Sequence, residues 1–137
     1  MKKILVVDDE KDLVDLLAWN LHQEGYRVIT ACDGREAISV VEHIVPDLML
    51  LDIMMPGMDG IAVLRSLRKE GATKNTPIVM VTARSESSVI SDALKDGATD
   101  VVLKPFSMKH MMQRVECWLS GKCLRSIIKP RGELRSC

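Results

Sequence analysis

Short apolar runs recur along the chain, and four of them stop abruptly at a charged or hydroxyl residue. Ile4-Leu5-Val6-Val7 meets Asp8-Asp9, Leu48-Met49-Leu50-Leu51 meets Asp52, Ile78-Val79-Met80-Val81 meets Thr82, and Val101-Val102-Leu103 meets Lys104. Continuous runs of this length and β-branched content predict strands buried on both faces, as in a parallel sheet. Val28-Ile29-Thr30-Ala31 predicts a further strand, carrying neither acid nor base and lying at a sheet edge beside the others. Between the runs the apolar spacing turns helical. Leu13, Val14, Leu17 and Leu21 form one stripe, stopped at Gly25. Ala37, Ile38, Val41 and Ile44 form another, ended before Pro46. Ile61, Leu64 and Leu67 follow Asp59, a suitable N-cap. Val89, Ile90, Ala93 and Leu94 stop at Gly97, and Met108, Met111, Met112, Val115 and Leu119 follow a Ser107 cap. Strict strand–helix alternation predicts an α/β fold, with right-handed crossovers laying five helices over both faces of five parallel strands.

That arrangement gathers chemistry. Ligands bind an open parallel sheet at the carboxyl ends of its strands. Asp8, Asp9, Asp52, Thr82 and Lys104 therefore converge. Taken singly, each has an ordinary reading: a solvated acidic turn, a cap, a structural hydroxyl, a surface lysine. Taken together, three neighbouring carboxylates repel one another unless a cation lies among them. Carboxylate and carbonyl oxygens suit Mg²⁺, which shares its shell with phosphate and water. Lys104 and Thr82 could then hold a phosphoryl group.

Composition adds bounds. A chain of 137 residues, 47% of them hydrophobic, supports one domain with a real core. Nineteen basic residues balance nineteen acidic ones, so overall charge suggests neither nucleic acid nor membrane. The balance is uneven: residues 122–137 carry net +4 and the preceding 121 carry −4. Four apolar residues between Met1-Lys2-Lys3 and Asp8 fall short of a secretory core, and no run approaches a bilayer span. Cys32, Cys117, Cys123 and Cys137 form no Cys-x-x-Cys. Reduced thiols in a cytoplasmic protein are expected, with a Cys117–Cys123 or tail-mediated disulfide as the alternative. Trp19 and Trp118 read as helix-packing residues, and His22, His43 and His110 as isolated histidines without a catalytic partner.

The motifs Val-Val-Asp8-Asp9-Glu10, Leu-Leu-Asp52-Ile-Met-Met-Pro56-Gly57-Met-Asp59-Gly60, Val-Thr82-Ala83-Arg84 and Leu-Lys104-Pro105-Phe106 occur in order. In this the chain resembles the receiver domain of a two-component response regulator, chemotaxis-receiver-like, over about residues 2–120. The resemblance implies a flavodoxin-like sheet of order 2-1-3-4-5. It implies Asp52 as phosphoryl acceptor from a sensor histidine kinase or histidine phosphotransfer protein. It implies Mg²⁺ on Asp9 directly, on Asp8 through water, on Asp52 and on the Met54 backbone carbonyl. Lys104, the Thr82 hydroxyl and the amides of Met54 and Ala83 would take the phosphoryl oxygens. Thr82 would move on phosphorylation and alter binding of a downstream effector. Such a protein catalyses only its own phosphorylation and dephosphorylation. It works as a monomer or a phosphorylation-dependent dimer, without binding nucleic acid or membrane itself.

One position departs from the family. Val101 stands where an aromatic switch is usual, three residues before the lysine. Valine cannot swing as a ring does, so propagation from Thr82 toward the last helices is affected while the phosphoryl chemistry is not. Phe106 reads as core. Met54 and Arg84 flank the site and can tune access of water. The competing functions are a phosphorylation-independent docking module and the receiver half of a DNA-binding regulator. An aspartyl-nucleophile hydrolase lacks room for a lid, and FMN binding is disfavoured by acids in the first strand–helix turn. The domain is expected to span 1–120, and 121–137 to be a short basic tail, either a disordered, solvated end or a segment that packs beside the last helix to about residue 129 and frays beyond it.

Overall fold

The computed structural model describes residues 1–55, 57 and 59–123. Its elements alternate without exception: β1 (Lys3–Val7), α1 (Lys11–Gln23), β2 (Arg27–Ala31), α2 (Gly34–Val41), β3 (Leu48–Asp52), α3 (Gly60–Lys69), β4 (Ile78–Thr82), α4 (Ser87–Lys95), β5 (Asp100–Leu103) and α5 (Met108–Ser120). The strands form one parallel sheet in the order β2-β1-β3-β4-β5. All five expected strands are present, with β2 at an edge. The order reverses between β1 and β3, and the crevice at that switch point is where such sheets bind ligands.

Strand alternation divides the core. Leu5, Val7, Met49, Leu51, Ile78 and Met80 face one side, packed by α2, α3 and α4 residues such as Ala37, Leu64 and Ala93. Ile4, Val6, Leu48, Leu50, Val79 and Val81 face the other, packed by Leu17 and Leu21 of α1 and Met111, Val115 and Trp118 of α5. β1, β3 and β4 are buried on both faces, so they show no polar alternation in sequence.

Helix ends follow local chemistry. Asp59 accepts from the Ala62 amide at 2.9 Å and Ser107 Oγ from the His110 amide at 3.0 Å, both as expected N-caps. Gly25 and Gly97 leave their helices at φ +93° and +108°. Four expectations change. α2 ends at Val41, so Ile44 lies beyond the helix. Val63, not Ile61, joins Leu64 and Leu67 as a fully buried position of α3. Trp19 is 61% exposed rather than packed, while Trp118 is buried. Cys117 and Cys123 are joined as a disulfide rather than reduced, because the turn after α5 brings them together. Phe106 is half-buried against the α1/α5 core. The expected packing of residues 124–129 lies outside the described residues.

Candidate functional site

The site residues sit at a strand's carboxyl end or within two residues past it, Asp9 being the second residue after β1. Asp52 closes β3 and Thr82 closes β4, while Asp8 follows β1 and Lys104 follows β5. Backbone bonds continue the ladder into these loops: the Asp8 amide donates to the Ala31 carbonyl, Ile53 to Val81 and Lys104 to Thr82. The side chains therefore project from a stiff rim. Gly60 sharpens the geometry. A Cβ there would lie 2.6 Å from Ile53 Cα, so only glycine lets α3 begin this close to the Asp52 loop.

Asp8, Asp9 and Asp52 each offer a carboxylate oxygen within 4.8 Å of the others. Asp8 and Asp52 are buried and Asp9 is exposed, so the cluster opens outward through Asp9. This all-oxygen donor set fits a hard divalent cation. Lys104 Nζ donates to Glu10 Oε1 at 2.8 Å, to Asp8 Oδ2 at 3.0 Å and to Asp52 Oδ2 at 3.4 Å. The Met54 amide donates to Asp52 Oδ1 at 3.1 Å, and the Glu10 amide to Asp8 Oδ1 at 2.9 Å. Both oxygens of Asp52 are thus oriented.

Burial, reinforced by the neighbouring Asp8 carboxylate, pushes Asp52 up to about 6 against the opposing Met54 amide and Lys104. Burial alone would lower Lys104. Its bonds to Glu10 and Asp8 and the charge of Asp52 outweigh that and hold the ammonium above its usual range. Lys104 in turn holds the exposed Glu10 below the ordinary carboxylate value. One ammonium serves three carboxylates, which leaves the cluster short of positive charge.

The structure brings Asp8, Asp9, Asp52 and Lys104 together as expected. Thr82 is fully buried at the next strand end, its Oγ1 accepting from the Arg84 amide at 2.9 Å. Ala83 follows it and lines a groove with Glu10 and Lys104. Met54 puts its amide on Asp52 and leaves its side chain exposed, and Arg84 Nη1 lies 3.9 Å from Met54 Sδ across the mouth. Val101 stands away from this centre. It lines an apolar groove of about 570 Å³ with Ile90 and Leu94 of α4. Glu10 is the participant that the sequence did not single out by role; its only trace there is a third acid directly after Asp8-Asp9.

Comparison with known proteins agrees with this geometry. The chain is 43% identical over 135 residues to the alkaline phosphatase synthesis transcriptional regulatory protein PhoP of Bacillus subtilis (strain 168). That alignment takes in 98% of this chain and 54% of PhoP, so the chain spans about half the length of this relative. The chemotaxis protein CheY4 of Vibrio cholerae superposes with a TM-score of 0.82 at 31% identity, over 85% of this chain and 97% of that one. The receiver domain of sensor histidine kinase PA1611 from Pseudomonas aeruginosa PAO1 superposes at 0.80 and 27% identity, over 87% and 98%. That structure holds a magnesium ion coordinated in its active-site cleft. A two-component response regulator from Clostridium difficile gives 0.84 at 28% identity, over 90% and 100%. Residues 4–116 match the family described as the response regulator receiver domain, and with its five-stranded sheet and acidic cleft the chain belongs to that family.

Proposed function

We propose that Asp52 accepts a phosphoryl group from the phosphohistidine of a sensor histidine kinase or phosphotransfer protein, and that the modified receiver changes its affinity for a downstream effector. The observation that carries this is the convergence of Asp8, Asp9 and Asp52 on one point, with Lys104 in contact with Asp52. A bond forms between a carboxylate oxygen and phosphorus, the phosphorus–nitrogen bond breaks, and its electron pair returns to the donor imidazole. Mg²⁺, held by Asp8, Asp9, Asp52 and the Met54 carbonyl, would supply counter-charge to the transferring oxygens. The Met54 amide orients the attacking carboxylate. Lys104 then serves the phosphoryl oxygens, with the Ala83 amide and the Thr82 hydroxyl completing the cradle. Thr82 Oγ1 accepts from the Arg84 amide, which leaves its hydroxyl proton to donate to a phosphoryl oxygen, and any movement of Thr82 toward the phosphoryl group therefore acts on the β4–α4 loop.

A groove of about 480 Å³, lined by Leu13, Leu16 and Phe106, borders Lys104 and gives a donor protein an apolar surface beside the acceptor. Residues 1–120 form the receiver, and 121–137 a following basic segment. No helix among the described residues is long and apolar enough to cross a membrane, which suits a receiver working in the cytoplasm. The greater length of PhoP favours a second reading of the output: the receiver half of a transcriptional regulator, a question the full gene length decides.

The test is intact mass after incubation with Mg²⁺ and acetyl phosphate. One phosphoryl group per chain is expected, absent without Mg²⁺ and absent in Asp52→Asn. A wild-type shift in that variant removes Asp52 from its role.

A further inference from the structure

We propose that Cys117 and Cys123 are a reversible thiol–disulfide pair, an oxidative modification site that fixes the direction in which the chain leaves α5. The backbone brings the two together before any sulfur chemistry. α5 ends at Ser120, and Gly121 turns the chain at φ +76°, the left-handed cap that glycine supplies at helix ends. After that turn the amides of Lys122 and Cys123 both donate to the Cys117 carbonyl, at 3.1 and 3.3 Å. Cys123 is folded back over the last turn, its Cα 5.3 Å from that of Cys117. Disulfides bridge Cα separations of about 4.4–6.8 Å, so the cap itself meets the requirement.

Both cysteines are half-buried, which leaves the bond open to small thiols and disulfides. Closing so short a loop gives only the smaller end of disulfide stabilisation. In a reducing compartment, disulfides that do form are characteristically transient and redox-sensing. Cys32 makes a contrast. Glu36 and then Asp33 push its exposed thiol upward in pKa, and it has no partner sulfur among the described residues.

The pair is positioned to matter structurally. Trp118, next to Cys117, donates Nε1 to the buried Asp100 carboxylate at 2.9 Å, and Arg114 Nε donates to the same oxygen at 2.8 Å. These bonds clamp the end of α5 to β5. Cys123 packs against the same core cluster. With the bond closed, the chain departs from a covalently held point. With it open, the departure rests on two backbone hydrogen bonds and a glycine turn.

The oxidant class is a low-molecular-weight disulfide such as glutathione disulfide. One cysteine thiolate attacks it, the glutathione S–S bond breaks, and one glutathione thiolate leaves. The second cysteine thiolate then attacks the mixed disulfide and displaces the other glutathione. Two protein thiols are oxidised, one glutathione disulfide is reduced to two thiols, and the two cysteine protons end on them.

The experiment equilibrates the full chain across a series of reduced-to-oxidised glutathione ratios, quenches with acid, alkylates, and reads intact mass and peptide maps. Alkylatable thiols should fall from four to two as the ratio becomes oxidising, with the lost pair mapping to Cys117 and Cys123. Cys123→Ser should lose that transition. Amide exchange at Lys122 and Cys123 should slow in the oxidised form. The proposal is overturned if no bonded species forms at any ratio, if the bond survives excess reduced glutathione, if another pair forms instead, or if exchange is equal in both forms.

Discussion

At Asp52 the demands of folding and of chemistry oppose each other. Its folded-state pKa, about 6, exceeds the unfolded carboxylate value. Between roughly pH 4 and 6 the folded chain therefore binds more protons than the unfolded one, so the stability this group contributes is present at low pH and lost as pH rises through that window. With metal chelated, Asp52→Asn should accordingly melt higher than wild type at pH 7, by about 1–2 kcal/mol, and the difference should close below about pH 4. Urea melts at both pH values check this; a variant less stable at pH 7 contradicts it. Gly60 constrains the same loop by close approach. Gly60→Ala has to displace the Asp52–Ile53 backbone, so Mg²⁺ affinity should fall together with stability, by about 2 kcal/mol or more for the latter. Isothermal titration and a melt measure both, and unchanged metal affinity shows that the loop can yield. The convergence of Asp8, Asp9, Asp52 and Lys104 was legible because three apolar runs stop at strand ends on Asp8-Asp9, Asp52 and Lys104. Glu10 was not, because its part depends on a lysine 94 residues away reaching back over the sheet edge.

Elements were legible wherever one local rule set them. Strands with both faces buried announced themselves, and Asp59 and Ser107 capped the helices they precede. Side-chain burial on helices was harder, because spacing gives a stripe but the neighbouring element decides its width. Trp118 is buried because Asp100 accepts its indole N–H, whereas Trp19 lies on an uncovered face of α1. The α4–β5 pair is the functional counterpart of this limit. α4 buries only Ala93 fully, and Ile90, Leu94 and Val101 border a groove that valine leaves unfilled. Val101→Phe should place a ring there and raise stability by about 1 kcal/mol. It should also enlarge the methyl chemical-shift changes of Ile90 and Leu94 when beryllofluoride mimics the phosphoryl group. Equal shifts in both proteins would show that Thr82 reaches α4 without a ring at this position. On the opposite side of β5, Asp100→Ala would strand Arg114 and the Trp118 N–H. It should cost about 3 kcal/mol in a denaturant melt; a loss under 1 kcal/mol would show the clamp to be replaceable by packing.

For the molecule as a whole, the sheet separates two kinds of work along the strand direction. The carboxyl ends collect four acids around one lysine, a cluster that costs stability until a cation joins it. The amino ends of β4 and β5 are held by Arg68 at the end of α3. Its Nε donates to the Gly97 carbonyl at 2.8 Å, and its Nη1 to the carbonyls of Thr73 at 2.9 Å, Lys74 at 3.2 Å and Thr76 at 2.7 Å. Nη2 reaches Thr99 Oγ1 at 3.2 Å, and that hydroxyl in turn accepts from the Ile78 amide at 3.0 Å. One guanidinium thus satisfies carbonyls of two loops that no ladder pairs. Removing it leaves several of them without a protein donor, at about 2–4 kcal/mol in total. The two ends lie about 15 Å apart along β4, so their effects should add. Arg68→Ala should therefore lower the melting temperature markedly while the rise produced by saturating Mg²⁺ at pH 7 stays as in wild type. Asp9→Ala, at an exposed carboxylate, should leave the metal-free melt almost unchanged and abolish most of that rise. Thermal melts of the two variants and their combination, each with and without Mg²⁺, carry the test. If Arg68→Ala also removes the Mg²⁺ response, the two ends of the sheet are coupled and the acidic site depends on the loop clamp beneath it.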